Sequence, residues 1–178
     1  MLNNPWQERL KADLQRLNTT DHPARLAVLG IGHELCGDDA VGTRIAAMLN
    51  TMLPNEPRLL AIEAGPAPEN FTGSLRHYKP DLILMIDAAR LDEEPGTIRW
   101  LNLQELDGLS ASTHTLPLDL LITYLNAELG CGVELIGIQP EQTFADMPLT
   151  PSVQKAAEEI LGVLVDCLRS QGCLSSKN

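Results

Sequence analysis

The stretch from Arg25 to Ile31, apolar at every position after the arginine, is followed at once by a glycine-rich turn and then by a helical pattern. No other feature constrains the chain as much. A strand that reads as continuous Leu, Val and Ile, without alternation, is buried on both faces, which is the habit of a central strand in a parallel sheet covered by helices. The turn runs Gly32-His33-Glu34-Leu35-Cys36-Gly37-Asp38-Asp39-Ala40-Val41-Gly42. Gly32 and Gly37 have the spacing of a phosphate-binding loop, which would next require Lys and then Ser or Thr. Asp38 and Asp39 stand there instead. A turn shaped to hold an anion carries two negative charges, so its natural guest is a cation.

The rest of the chain repeats the alternation. Pro5 to Leu17 predicts an amphipathic helix, with Leu10, Leu14 and Leu17 at helical spacing, broken by His22-Pro23. Asp39 to Leu53 predicts a helix with Val41, Ile45, Met48 and Leu49 on one stripe and Pro54 as its stop. Strands are expected over Arg58 to Ala64, Asp81 to Ile86, Thr97 to Leu101 and Val133 to Ile138. Further helices are expected over Glu69 to Tyr78, over Pro117 to Leu129 with Leu121, Tyr124 and Leu125 inward, and from about Ser152 to Arg169, where Thr150 precedes Pro151 as a cap. Leu103 to Ser112 reads as irregular. The pattern predicts an α/β fold, a three-layer sandwich with a mostly parallel five-stranded sheet and helices on both faces. One domain is expected over residues 1–178, with 1–24 as a helical extension and 173–178 as a frayed tail.

The net charge of −11 argues against nucleic acid or an anionic membrane as partner. No apolar segment is long enough to span a bilayer, and Met1 to Arg16 lacks a signal-peptide core. Cys36, Cys131, Cys167 and Cys173 form no C-x-x-C pair. These features predict a cytoplasmic protein with free thiols, Cys36 serving as a small spacer in the turn, and a monomer by default.

In doubly wound sheets ligands bind beyond the carboxyl ends of the strands. Asp39 follows the first strand through its turn. Asp87 directly follows Leu82-Ile83-Leu84-Met85-Ile86, and His114 lies in a loop before the Pro117 helix. Two carboxylates and an imidazole suit a divalent transition metal such as nickel or zinc, and three protein ligands leave positions open for a ligand from elsewhere. Each residue has a plainer reading. One of Asp38 and Asp39 is expected to cap the helix, Asp87 can cap a turn, and His114 can be a hydrogen-bonded loop histidine. Glu69-Asn70 reads as a helix start and Gln139-Pro140 as a turn.

Several ordered motifs resemble the hydrogenase maturation proteases, endopeptidases that trim the C-terminus of [NiFe]-hydrogenase large subunits. They are Gly32 with Gly37-Asp38-Asp39 and Gly42, Pro68-Glu69-Asn70, Ile86-Asp87-Ala88, Thr113-His114 with Leu116-Pro117-Leu118, and Gly137-Ile138-Gln139-Pro140. The last three groups are most similar to the branch serving the formate hydrogenlyase type of hydrogenase. The resemblance spans Leu26 to about Leu168. It implies a phosphorylase/hydrolase-like sandwich and an endopeptidase of aspartic type whose metal-contacting positions fall on Asp39, Asp87 and His114. It implies a nickel-loaded precursor as substrate, cut after a basic residue a few residues beyond its last metal-binding cysteine motif. The nickel then belongs to the substrate and is not stably held by the free protease.

Two positions depart from the pattern. His33 stands where the family usually has Asn, which makes it a possible extra ligand. Glu63-Ala64-Gly65 stands where many members have Asp-Gly-Gly, leaving Glu63 as a candidate for the substrate cleft. The residues before Arg25 have no assigned role. Two rivals remain at this point: a non-proteolytic, nickel-dependent docking module for the same subunit, and a nucleotide-binding α/β domain. Against the second, Leu35 occupies the third glycine position of a dinucleotide fingerprint, and the P-loop lysine is missing.

Overall fold

The computed structural model describes residues 5–19, 21–102 and 116–172. Helix α1 spans Pro5–Leu17, β1 Leu26–Ile31, α2 Val41–Met52, β2 Leu59–Gly65 and α3 Thr72–Tyr78. Then follow β3 Leu82–Ala88, β4 Ile98–Leu101, α4 Leu118–Leu129, β5 Gly132–Ile138 and α5 Pro151–Gly172. The strands form one sheet in the order β2-β1-β3-β5-β4. The pairs β1–β2, β1–β3 and β3–β5 are parallel, and β4 runs antiparallel along the β5 edge. The link from β3 to β4 is shorter than the roughly dozen residues a parallel crossover needs, so β4 turns back.

Two cores lie on opposite faces of this sheet. Leu26, Val28, Leu84, Ile86 and Ile136 pack with α1, α2 and α5 on one side. Ala27, Leu29, Ile83, Met85 and Leu135 pack with α3 and α4 on the other. The strands β1 and β3 are buried at every position, as their unbroken apolar runs require. The expected three-layer α/β sandwich is present.

The extension before Arg25 is part of the first core. Trp6, Leu10 and Leu14 are buried on the inner face of α1. Arg9 lies over the Trp100 ring at 4.8 Å and pairs with Glu134, joining α1 to the β4–β5 edge. Leu10→Ala is therefore expected to destabilise the protein by about 2–5 kcal/mol, measured by urea unfolding. An unchanged midpoint would mean that α1 is dispensable.

Two side chains expected to face inward do not. Val41, Ile45 and Leu49 form the buried seam of α2, but Met48 sits on its flank, 39% exposed, beside Pro148 and Leu149. Leu121 and Leu125 are buried in α4, whereas Tyr124 is 44% exposed because its hydroxyl reaches out to the Arg76 guanidinium of α3. An aromatic ring with a polar tip is poorly placed by periodicity alone. The irregular stretch expected over Leu103 to Ser112 and the frayed tail at 173–178 lie outside the described residues.

Candidate functional site

The chain leaves β1 for β2 on one side, then returns through α3 to β3 on the other. Strand order therefore reverses between β1 and β3, and a crevice opens at their carboxyl ends. The start of α2 sits over that point at very close range. A Cβ on Gly42 would lie 2.1 Å from the Ile86 carbonyl oxygen and 2.4 Å from that of Ile31. Only glycine lets helix and strands approach so closely. Ahead of α2, Gly37–Ala40 form a short 3-10 turn packed against β3.

Asp39 is presented from that turn, half-buried. Its Oδ2 accepts the His33 backbone N–H at 2.6 Å, so the carboxylate is fastened to the residue that follows the strand and Gly32. Gly32 has φ 119°, and a Cβ there would strike the Asp39 carbonyl oxygen, so the backbone of the turn folds back on itself. The second oxygen of Asp39 accepts no hydrogen bond among the described residues. His33 is exposed, and its Nδ1 accepts the Leu35 N–H at 3.3 Å. His33 and Glu63 line one groove of about 270 Å³ together with Glu34, Thr43 and Pro66. The structure thus places the two departures from the family pattern side by side.

Asp87 is the penultimate residue of β3 and only 4% exposed. It pairs in register with Gly137 of β5, one residue beyond the Ile86 carbonyl over which Gly42 packs. Asp39 and Asp87 are thus brought to the ends of adjacent strands, with the start of α2 bearing on both. His114 lies outside the described residues. Leu116, where the described residues resume, packs on the second core just ahead of α4. Among the described residues, no three His, Cys, Asp or Glu side chains gather as a metal cluster.

Neither acid of the turn caps α2, whose N-terminus has no side-chain cap. Asp38 instead is fully buried and faces a segment more than a hundred residues away. Its Oδ2 accepts the N–H groups of Glu141 at 2.8 Å and Gln142 at 3.0 Å, and its Oδ1 accepts that of Thr150 at 2.7 Å. The Thr150 hydroxyl donates to Asp38 Oδ2 at 3.0 Å. Thr150 does stand at the head of α5, where its carbonyl accepts the Gln154 N–H, but its hydroxyl serves Asp38. No local pattern signals this pairing, so sequence reading missed the partnership.

Gln139 is a second case. It lies just past the end of β5, where the structure shows no turn, and its side chain accepts the Leu91 N–H at 2.6 Å, tying down the loop that leaves Asp87. Glu69 lies half-buried in a 3-10 turn, Pro68–Phe71, that leads into α3, in keeping with a helix start. Burial pushes the Cys131 and Cys167 thiols up, away from thiolate chemistry. Cys36 is a half-buried thiol of the turn itself.

A family model for hydrogenase maturation proteases of the HycI type matches residues 43–167. The chain belongs to the hydrogenase maturation protease family. The match begins just after Gly42, so the body of the fold carries it independently of the glycine-rich turn. Among solved structures, the protease resembles the crystal structure of the [NiFe] hydrogenase maturation protease HycI from Thermococcus kodakarensis. That likeness has a TM-score of 0.74 and 30% identity, covering 82% of this chain and 93% of that one. The maturating endopeptidase HybD of Escherichia coli gives a TM-score of 0.65 at 29% identity, over 83% and 94% of the two chains. The hydrogenase 3 maturation protease of Escherichia coli is 29% identical over 134 residues, covering 75% of this chain and 84% of that protein. The protease is thus a hydrolase of peptide bonds, as the motifs led one to expect, and the docking-module and nucleotide-binding rivals are not favoured. No helix among the described residues is long and apolar enough to cross a membrane.

Proposed function

We propose that the protease removes the C-terminal peptide of a nickel-loaded [NiFe]-hydrogenase large-subunit precursor, with Asp39, Asp87 and His114 meeting the substrate's nickel. The observation that carries this reading is the convergence of Asp39 and Asp87 on the carboxyl ends of β1 and β3. Two oxygen ligands and one imidazole match a borderline divalent cation. Because the metal arrives with the substrate, the free protease needs no closed cage, and the open groove beside His33 and Glu63 suits a peptide tail.

Two chemistries fit the arrangement. The substrate's metal polarises the scissile carbonyl or a water as a Lewis acid. Alternatively it fixes the bond in place while a carboxylate activates water. In both, the test for correct loading and the cut share one site. The protease is read as a cytoplasmic monomer, and the motif groups around Asp87, His114 and Gln139 favour the formate hydrogenlyase branch.

The deciding experiment incubates the protease with nickel-loaded and nickel-free precursor and follows loss of the C-terminal peptide by mass spectrometry. Only the loaded form is expected to be cut. Equal cleavage of both forms, or of neither, would overturn the proposal.

A further inference from the structure

We infer that Asp38 is a positioning residue of this site: gripped by Thr150 and the Glu141 and Gln142 amides, it fixes the turn from which Asp39 is presented. The inference rests on the reading that Asp39 meets the precursor's metal.

The turn from His33 to Ala40 is held partly from within and partly from a distant segment. Outside its 3-10 segment, its backbone bonds to itself are Cys36 N–H to His33 O and Asp39 N–H to Cys36 O, at 3.0 and 3.1 Å, and the Val41 N–H donates to the Asp38 carbonyl. Besides its ties to α2, the turn is bound to the segment before α5. Asp38 N–H donates to the Gln142 carbonyl at 2.9 Å, the Asp146 N–H donates to the Leu35 carbonyl at 2.7 Å, and Cys36 and Met147 form a parallel bridge. The Asp38 carboxylate accepts four more hydrogen bonds from the same segment.

A buried carboxylate is costly unless its lone pairs are filled, and charge-assisted bonds are shorter and stronger than neutral ones. Among the described residues no cation balances Asp38; three N–H groups and one hydroxyl do the work. The neighbouring carboxylates are therefore held in opposite senses. Asp38 is drawn into the 141–150 segment, and Asp39 is drawn back onto the His33 N–H. The turn is held between these two anchors, so loosening one is expected to loosen the other. On this account the position of Asp39 is set from the far end of the chain, and Thr150 supplies the only side-chain donor to Asp38 among the described residues.

A purely local role predicts something different. If Asp38 only held the 141–150 segment, its loss would free Glu141, Gln142 and Thr150 and leave Asp39 in place. The His33 amide separates the two cases, because it donates to Asp39 Oδ2 and not to Asp38 or Thr150.

The test compares Thr150→Val, which keeps the shape and removes the hydroxyl, with Thr150→Ser, which keeps the hydroxyl. Amide hydrogen exchange is read by NMR alongside kinetics on the nickel-loaded precursor. Thr150→Val is expected to speed exchange at His33 about tenfold and to lower kcat about tenfold with KM within about twofold, the scale of one lost bond to a charged group. Thr150→Ser restores both, and Thr150→Ala repeats the loss should the valine variant fold poorly. Unchanged His33 exchange beside faster exchange at Glu141 and Gln142 would overturn the inference. So would a Thr150→Ser variant as impaired as the valine one. If the wild-type protease leaves the loaded precursor uncut, the functional reading fails, and the His33 amide still decides the positioning role.

Discussion

Asp87→Asn is expected to lower kcat/KM on the nickel-loaded precursor by about a hundredfold to a thousandfold, the range for removing one preorganised electrostatic partner from a reacting centre. The substitution keeps the size and planarity of the side chain, so packing at the end of β3 is preserved. It removes a negative charge that is only 4% exposed and so poorly screened by water. A neutral amide is also a weaker oxygen donor to a divalent cation than a carboxylate. Activity measured beside a thermal melt separates the two consequences: the melt should remain cooperative while processing collapses. Wild-type processing by Asp87→Asn would remove Asp87 from the site.

How far such a site could be read from sequence differs by residue. Asp87 was legible because five apolar residues end abruptly in an acid, and a buried parallel strand has only one place to put that acid, the sheet's carboxyl edge. Asp39 was legible through the glycines, which mark a tight strand-to-helix turn whose next residues must face the same edge. Asp38 was not. Its neighbour in the turn is Asp39, and the expectation that one of them caps the helix is reasonable from composition. The structure instead sends Asp38 across to Glu141, Gln142 and Thr150, a pairing fixed only when α5 docks beside α2. Periodicity reports which face of a helix is apolar, but it carries no information about partners so distant in the chain. The same limit explains Met48 and Tyr124, whose surroundings come from the loop at Pro148 and from α3. The α1 extension was legible as a helix, yet its burial against the first core was not, because an amphipathic stripe does not say what covers it.

Gly42→Ala is expected to be among the most damaging single-methyl additions in the described chain. The new Cβ would sit 2.1 Å from the Ile86 carbonyl oxygen, 2.4 Å from that of Ile31 and 2.6 Å from the Ile31 nitrogen. None of these atoms belongs to a flexible side chain. Both strands are locked in the sheet by their ladders, so α2 must lift from them. Across the same contact, a Cβ on Gly30 would lie 2.0 Å from the Gly42 carbonyl oxygen, so neither partner has room to yield. The cost should reach about 3 kcal/mol or more, a large share of a stability of about 5–15 kcal/mol. Gly73→Ala provides the contrast. Gly73 lies within α3, and beyond its chain neighbours and its own helix backbone the added methyl would meet nothing within 4 Å. There the gain in helix propensity should stabilise by about 0.5–1 kcal/mol. Urea midpoints of the two variants should therefore move in opposite directions. An unshifted midpoint for Gly42→Ala would sink the close approach of α2 to the strand ends. Lifting α2 also carries the Asp39 turn away from Asp87, so any folded fraction of Gly42→Ala should process the precursor more slowly than its folded population accounts for.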